Sequence, residues 1–329
     1  MEKSIENQYL RTQLVERKHK LEMAMAASSG DASLAELGAQ VDVALDRMEK
    51  GTYGICEECH EPVEQERLLA NPLECYCLDH LTAPQRRALE DDLTLAARIQ
   101  RSLLPPADLL HAGWQVHYHY EPASVVSGDY CDLIRPENGA GDLLFLVGDV
   151  AGKGVAASML MTHLHAMFRS LATVGLPLSE LMALANRVFC ESAMAGQYAT
   201  LICGRARPTG EVELSSAGHL PALWVRRGAV TSIEATGLPL GMFCTGSYPS
   251  RKIRLDPGES LFLFTDGVSE TRNAADTEYG MKRLAEMVGA KHALAPNELT
   301  AACLRELRAY DGGHAPADDR TILVLNRAG

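Results

Sequence analysis

The sequence predicts an α+β fold in which mainly antiparallel sheets are covered by helices, preceded by a helical hairpin and a connector helix. Apolar residues recur at helical spacing through residues 10–48, and cysteines cluster between residues 56 and 77. From Trp114 onward, segments with the two-residue period of strands alternate with helical segments. We therefore expect three parts: residues 1–81, a connector helix at 82–106 and a larger domain at 107–329.

The composition is that of a soluble globular protein. The chain has 329 residues, of which 47% are hydrophobic and 22% charged. No apolar run approaches the ~20 residues that cross a bilayer, and the charged start, MEKSIENQYLRTQ, does not resemble a secretory signal. The net charge of −12 argues against general coating of nucleic acid. We expect a cytoplasmic protein without a membrane or nucleic-acid partner.

Two amphipathic helices are predicted before residue 50. The first has an apolar face made of Leu10, Leu14, Leu21 and Met25. The segment AASSGDAS breaks this pattern, and Ser33 with Glu36 indicates a capping box that opens the second helix. The stripe of that second helix comprises Leu34, Leu37, Val41, Ala44 and Met48. The pair predicts an antiparallel hairpin; the alternative is two helices packed into the main domain.

The next segment, GTYGICEECHEPVEQERLLANPLECYCLDHL, contains two pairs of candidate zinc ligands. Cys56-x2-Cys59 supplies two thiolates, and Cys77-x2-His80 supplies the second pair. Four such ligands suit one tetrahedral structural Zn²⁺. Cys75 is a competing ligand, but a single residue separates it from Cys77, which points the two side chains apart. The alternatives are reduced cysteines in a loop, or a redox switch in which oxidation ejects zinc.

These motifs resemble the DksA/TraR family of zinc-finger proteins. The resemblance covers roughly residues 1–82, through the hairpin, GTYG-C-x2-C, RLLANP and Cys77-LD-His80. Cysteine is the usual last ligand in that family, so His80 is a departure. Family members with a long coiled coil bind RNA polymerase through acids at its tip. Here the turn offers only Asp31, followed by Glu36 and Asp42 in the helix, which weakens that expectation.

A connector helix is predicted after the zinc segment. Thr82 and Gln85 repeat the capping pattern, and Pro105-Pro106 ends the helix. Its apolar stripe comprises Leu89, Leu93, Ala96, Ile99 and Leu103. Such a stripe is buried either against the larger domain or against its copy in a second chain. We expect a homodimer formed through this helix, which could also transmit a signal.

Seven segments of the larger domain have the pattern of strands: WQVHYHYEPA, DLLFLVGDV, ATLICGRA, EVELSSA, ALWVRRG, SLFLFTDG and TILVL. Helices are predicted near Gly154 and Leu178, and later in YGMKRLAEMVGA and PNELTAACLRELRAY. Turn signals such as PTGE and RRGA fit antiparallel hairpins better than a βαβ repeat. The expected architecture is layered, with antiparallel sheets between helices.

Four aspartates lie at the ends of these apolar strands: Asp129 in SGDYCD, Asp149 in VGD, Asp266 in FTDG and Asp318 in DDRT. A single aspartate at a strand end is usually a turn former. Four gathered at one end of a sheet would repel strongly unless cations neutralised them. Oxygen ligands without His or Cys suit Mg²⁺ or Mn²⁺. The pattern therefore indicates a metal site.

The motifs SGDYCD, GDVAGKGVAA, AGHLPAL, GLPLG, FTDGVSE and DDRTILVL together resemble the SpoIIE-like branch of the metal-dependent PPM (type 2C-like) serine/threonine phosphatases. The resemblance covers about residues 93–327. It implies a β-sandwich flanked by helices, an α-β-β-α arrangement, with two metal ions at one edge.

The resemblance also implies roles for individual residues. Asp149 should bridge both metals, and the Val150 carbonyl should contact one of them. Asp266 and Asp318 should complete the shell, with Asp319 as the alternative to Asp318. Asp129 should contribute directly or through water. Asp149 and Asp266 then hold the nucleophilic water, and the residues that bind the substrate are left unassigned.

The expected activity is hydrolysis of phosphoserine or phosphothreonine in a protein by metal-activated water. The resemblance implies a bacterial signalling enzyme whose substrate is a phosphorylated STAS-type anti-sigma-factor antagonist. The alternative is a DksA-like regulator that binds RNA polymerase and carries a non-catalytic phosphatase-like domain. The complete set of carboxylates argues against this alternative, since an inactive site could lose them at no cost.

Overall fold

The computed structural model describes residues 2–27, 32–81, 83–136, 141–194 and 196–329. By contacts between Cα atoms, the chain divides into two compact units, residues 1–92 and 93–329. None of the helices within the described residues is both long enough and apolar enough to span a bilayer.

The smaller unit contains a pair of packed helices and the cysteine-rich segment. Its elements are α1 (Glu2–Ala27), α2 (Ala32–Glu49), α3 (Gln65–Ala70) and a 3-10 helix (Leu78–His80). Leu14 and Leu21 of α1 pack against Val41 and Ala44 of α2, so the predicted apolar stripes meet. Helix α2 begins at Ala32, so the predicted capping residue Ser33 lies in its first turn. Asp31 and Thr82 lie outside the described residues.

Helix α4 (Ala83–Leu103) begins in the smaller unit and ends in the larger one. Most of its predicted apolar stripe is not fully covered. Leu89 and Ile99 are exposed, together with Leu95, while Leu93 and Leu103 are half-buried. The buried residue of α4 is instead a polar one, Gln100.

The larger unit contains two antiparallel sheets. The first has the order β1 (Asp108–His111), β2 (Trp114–Glu121), β11 (Arg320–Arg327), β10 (Ser260–Phe264), β7 (Ala222–Arg226) and β8 (Ala229–Ile233). The second has the order β3 (Asp129–Ile134), β4 (Leu143–Val150), β5 (Ala199–Ala206), β6 (Glu211–Ala217) and β9 (Arg251–Arg254). All seven predicted strands are present, and RRGA forms the β7–β8 hairpin.

Three apolar clusters stack the sheets and helices in layers. Side chains of both sheets, such as Phe145 and Leu323, form the central cluster. The outer face of the second sheet packs on α5 (Gly154–Ala172) and α6 (Leu178–Ser192). The outer face of the first sheet packs on α7 (Asp266–Ser269), α8 (Gly280–Ala290) and α9 (Pro296–Tyr310). The predicted α-β-β-α sandwich is therefore confirmed.

Candidate metal centre

Three of the predicted carboxylates share one pocket. Asp149, Asp266 and Asp318 line an open cavity of about 380 Å³, together with Lys153 and His219. Asp149 lies near the end of β4 in the second sheet. Asp266 follows β10, and Asp318 precedes β11, which pairs with β10 in the first sheet. The pocket is thus built where strands of the two sheets end together.

The local sequence explains why Asp266 faces the pocket. After β10 the backbone does not form a hairpin; Asp266 begins the short helix α7, with Thr265 as the preceding residue. A Cβ atom at Gly267 would clash with the carbonyl oxygen of Asp319. Only glycine therefore allows the backbone after Asp266 to approach the segment that carries Asp318. The apolar strand, the aspartate and the glycine together place a carboxylate beside a second one.

The electrostatics of the pocket are unfavourable for bare carboxylates. Burial, followed by repulsion from Asp266 and Asp318, raises the pKa of Asp149 to about 7. Burial and then repulsion from Asp318 also raise the pKa of Asp266. The Lys153 ammonium lies 2.9 Å from Asp318 Oδ2, and this contact raises the pKa of Lys153. These acids are arranged to take up positive charge, which fits oxygen ligands for divalent cations.

Asp129 does not line this pocket, although it pairs with Asp149 across β3 and β4. Its carboxylate is buried, and Oδ2 accepts hydrogen bonds from the hydroxyls of Thr265 (2.8 Å) and Thr321 (2.5 Å). Both threonines belong to the first sheet or its edge, so Asp129 joins the two sheets behind the pocket. Burial raises the pKa of Asp129 well above its ordinary value. This geometry favours an indirect contribution to the site.

The neighbours Asp318 and Asp319 point to different partners. Asp318 faces the pocket and Lys153. The carboxylate of Asp319 instead accepts backbone N–H groups of Ala123 (2.7 Å) and Gly128 (2.9 Å). Asp319 therefore holds the loop that leads into β3, whereas the Asp318 carboxylate lies in the pocket, where it accepts the Asp319 N–H at 3.0 Å and pairs with Lys153. Its ligand role stays a prediction.

His219, from the motif AGHLPAL, is a buried structural group at the base of the pocket. Its Nδ1 lies 2.9 Å from the Thr200 hydroxyl, and its Nε2 lies 3.1 Å from the Phe264 carbonyl oxygen. Burial lowers the pKa of His219 to about 4, so the imidazole is neutral at pH 7. A neutral ring that donates from Nε2 and accepts at Nδ1 fixes the end of β10 just before Asp266.

The sequence reasoning missed the hydroxyls of Thr265 and Thr321 and the loop-binding role of Asp319. Each threonine stands next to a recognised acid-containing motif, FTDG or DDRT, but nothing in the spacing shows that both reach Asp129. The carbonyl of Val150 is a predicted metal contact. The N–H of the same residue donates to the Gly128 carbonyl oxygen at 3.3 Å. Val150 therefore depends on the same loop as Asp129.

The predicted zinc ligands come together in the smaller unit. Ligand atoms of Cys56, Cys59, Cys77 and His80 all lie within 4.8 Å of one another. The Cys59 and Cys77 sulfurs are 3.7 Å apart, close to the edge of about 3.8 Å expected for a tetrahedron with Zn–S bonds of about 2.3 Å. The Cys75 thiol is directed toward the Leu73 carbonyl oxygen at 3.4 Å and is not in this cluster. The arrangement fits zinc.

The two sheets and their helices define a type 2C (PP2C-like) fold. The structure of the SiaA-PP2C domain of Pseudomonas aeruginosa aligns with a TM-score of 0.65 and 20% identity, covering 74% of this chain and 98% of that one. Residues 139–328 match the family model of Stage II sporulation protein E (SpoIIE), and the chain belongs to that family. Residues 51–79 match the prokaryotic dksA/traR C4-type zinc finger.

Two curated relatives also align with this chain. The phosphoserine phosphatase RsbU of Bacillus subtilis is 26% identical, covering 57% of this chain and 56% of that protein. Protein IcfG of Synechocystis sp. is 26% identical, covering 72% of this chain and 41% of that protein. The chain thus spans about half the length of the curated relatives it matches.

Proposed function

We propose that this chain is a metal-dependent protein phosphatase that hydrolyses phosphoserine or phosphothreonine. The observation that carries the proposal is the shared pocket of Asp149, Asp266 and Asp318, built from strand ends of both sheets. Membership of the SpoIIE family and the phosphoserine phosphatase activity named for RsbU support it.

Each residue of the pocket has a separate task in this proposal. A pair of Mg²⁺ or Mn²⁺ ions, when bound, lowers the pKa of water and supplies a nucleophile near neutral pH. Asp149 and Asp266 would hold the ions that carry this water, aided by Asp318 and the Val150 carbonyl. Lys153 offers a cation at the mouth of the pocket, where a phosphoryl oxygen would enter. His219 is neutral and fixed, and so does not serve as a proton donor.

We infer that the substrate is a phosphorylated protein, with a STAS-type anti-sigma-factor antagonist as the specific candidate. The open pocket suits a phosphorylated side chain presented on a protein surface. The family resemblance supplies the particular class. The zinc-binding unit, with one structural Zn²⁺, would serve as a docking, sensing or dimerisation element. Exposure of Leu89 and Ile99 on α4 supports dimerisation through that helix.

The polymerase-binding alternative receives little support from the described residues. Of the acids considered for it, Asp42 is paired with Lys18 at 2.6 Å, so its carboxylate is engaged within the hairpin.

Replacement of Asp266 by asparagine tests the proposed activity. Hydrolysis of a phosphorylated STAS-domain protein, followed as loss of phosphoserine with Mn²⁺ present, should fall by more than about 100-fold because a metal ligand is lost. The matched control is Asp276→Asn, an exposed acid on a nearby loop. Equal activity in the wild type and the Asp266→Asn variant would contradict the metal role. Co-purification with RNA polymerase and no hydrolysis by the wild type would favour the alternative.

A further inference from the structure

The end of helix α4 carries a buried amide that has no apolar role. Gln100 is 4% exposed, whereas its neighbour Ile99 is 51% exposed. Burying an amide costs free energy unless its donor and acceptor are both satisfied. An amphipathic helix ordinarily buries an apolar side chain at such a position. The buried Gln100 amide therefore needs a hydrogen-bonding partner.

That partner is the backbone of a single residue. The Gln100 amide nitrogen donates to the Ser127 carbonyl oxygen at 2.7 Å, and the Ser127 N–H donates to Gln100 Oε1 at 3.0 Å. The donor and the acceptor of the Gln100 amide thus both bond to the backbone of one residue, as two paired residues do in a β-sheet. Ser127 is itself completely buried. This two-point contact fixes the location and the orientation of the backbone at Ser127.

Ser127 leads directly into the residues that support the metal site. Its hydroxyl accepts the N–H of Asp129 at 3.1 Å. Gly128, between them, donates its N–H to Asp319 Oδ2 at 2.9 Å and accepts the N–H of Val150 at 3.3 Å. Gln100 and Asp319 therefore hold the same short segment, Gln100 from helix α4 and Asp319 from the position just before β11.

We propose that Gln100 is a positioning residue of the metal centre: by fixing Ser127 it sets the positions of Asp129 and of the Val150 carbonyl, and so the affinity for the metal ions. This inference rests on the proposed metal-dependent activity. Groups that orient metal ligands without touching the metal typically change affinity by about 10–100-fold when removed.

Replacement of Gln100 by alanine tests the proposal in the full-length chain with its zinc retained. We expect Mn²⁺, measured as free ion by electron paramagnetic resonance without substrate, to bind about tenfold more weakly. Turnover at saturating Mn²⁺ should recover to near the wild-type value. A general loss of folded protein would instead lower turnover at every Mn²⁺ concentration. In the metal-free chain, hydrogen exchange of the peptide that covers residues 123–131 should become faster. The control is Gln115→Ala, at an exposed position of β2.

A folded Gln100→Ala variant with wild-type Mn²⁺ affinity would overturn the proposal. If this variant does not fold, Gln100→Glu decides by the same measurements, because it keeps the acceptor for the Ser127 N–H and loses the donor to its carbonyl. Weak Mn²⁺ binding by Gln100→Glu supports the proposal, and wild-type binding overturns it. Absence of Mn²⁺ binding and of hydrolysis in the wild type would instead refute the proposed function itself.

Discussion

Replacing Asp318 and Asp319 by asparagine, one at a time, separates two adjacent acids by their tasks. The two substitutions are chemically identical and lie side by side, so each is the control for the other. The structure places Asp318 in the pocket beside Lys153 and Asp319 on the backbone of the loop before β3. We expect the first substitution to abolish activity with little change in stability, and the second to lower stability and retain activity.

The magnitudes follow from the contacts. Asp319 accepts two backbone N–H groups, and hydrogen bonds to a charged group contribute about 1.5–3 kcal/mol each, against about 0.5–1.5 for neutral ones. Asparagine keeps one acceptor oxygen and turns an NH2 group toward the other donor. The expected loss, reduced because Asp319 is half-exposed, is about 2 kcal/mol. The largely exposed Asp318–Lys153 pair contributes at most about 1 kcal/mol, and its loss is offset by reduced repulsion with Asp266.

Urea unfolding without added Mn²⁺ or Mg²⁺ measures these differences. Both tryptophans, Trp114 and Trp224, lie in strands of the larger unit, so their fluorescence reports on that unit. The Asp319→Asn variant should unfold at lower urea and keep activity within about tenfold at saturating Mn²⁺. The Asp318→Asn variant should keep the wild-type midpoint and lose more than about 100-fold in turnover. The opposite pattern would show that Asp319, and not Asp318, is the ligand.

Two further predictions concern the zinc cluster and the protonation of the pocket. The Cys59→Ser variant should lose its bound zinc, whereas Cys75→Ser should keep one Zn²⁺ per chain, as measured by metal analysis of the purified proteins. Zinc loss from Cys75→Ser alone would show that Cys75, and not Cys59, is a ligand. Because the pKa of Asp149 is raised to about 7 from an ordinary value of 3.8, the metal-free folded state binds more protons than the unfolded chain between these values. Its stability should therefore fall as the pH rises from about 4 to about 7, and Asp149→Asn should weaken this dependence. A urea midpoint that rises over this range would contradict the assigned cause.

The strands that could be recognised from sequence are the central ones. The seven predicted segments correspond to β2, β4, β5, β6, β7, β10 and β11. The four that were missed, β1, β3, β8 and β9, are the edge strands of the two sheets. Central strands are flanked on both sides, and those covered on both faces, such as β4 and β10, have long apolar runs. Edge strands such as RKIR in β9 are short and charged, as expected where one side faces solvent.

The pocket was predictable as a set of residue types but not as an arrangement. Strand ends carrying aspartate and glycine indicated where carboxylates could gather, because strand patterns are local. The distinction between Asp318 and Asp319 depends on which loop amides come within reach, and that is a long-range contact. The burial of Asp129 against Thr265 and Thr321 likewise requires the two sheets to stack in one register. No periodicity in the sequence contains that information.

The location of these carboxylates is itself an argument for a bound cation. Asp149 and Asp266 are partly buried, and burial together with repulsion from neighbouring acids raises the pKa of each. Within the described lining of the pocket, Lys153 is the one lysine or arginine. A fold that needed only stability would place apolar or neutral side chains at these strand ends, as it does along the rest of β4 and β10. Divalent cations would convert this repulsion into coordination. The acids that repel one another at these strand ends are therefore the ones that a metal-dependent hydrolase requires.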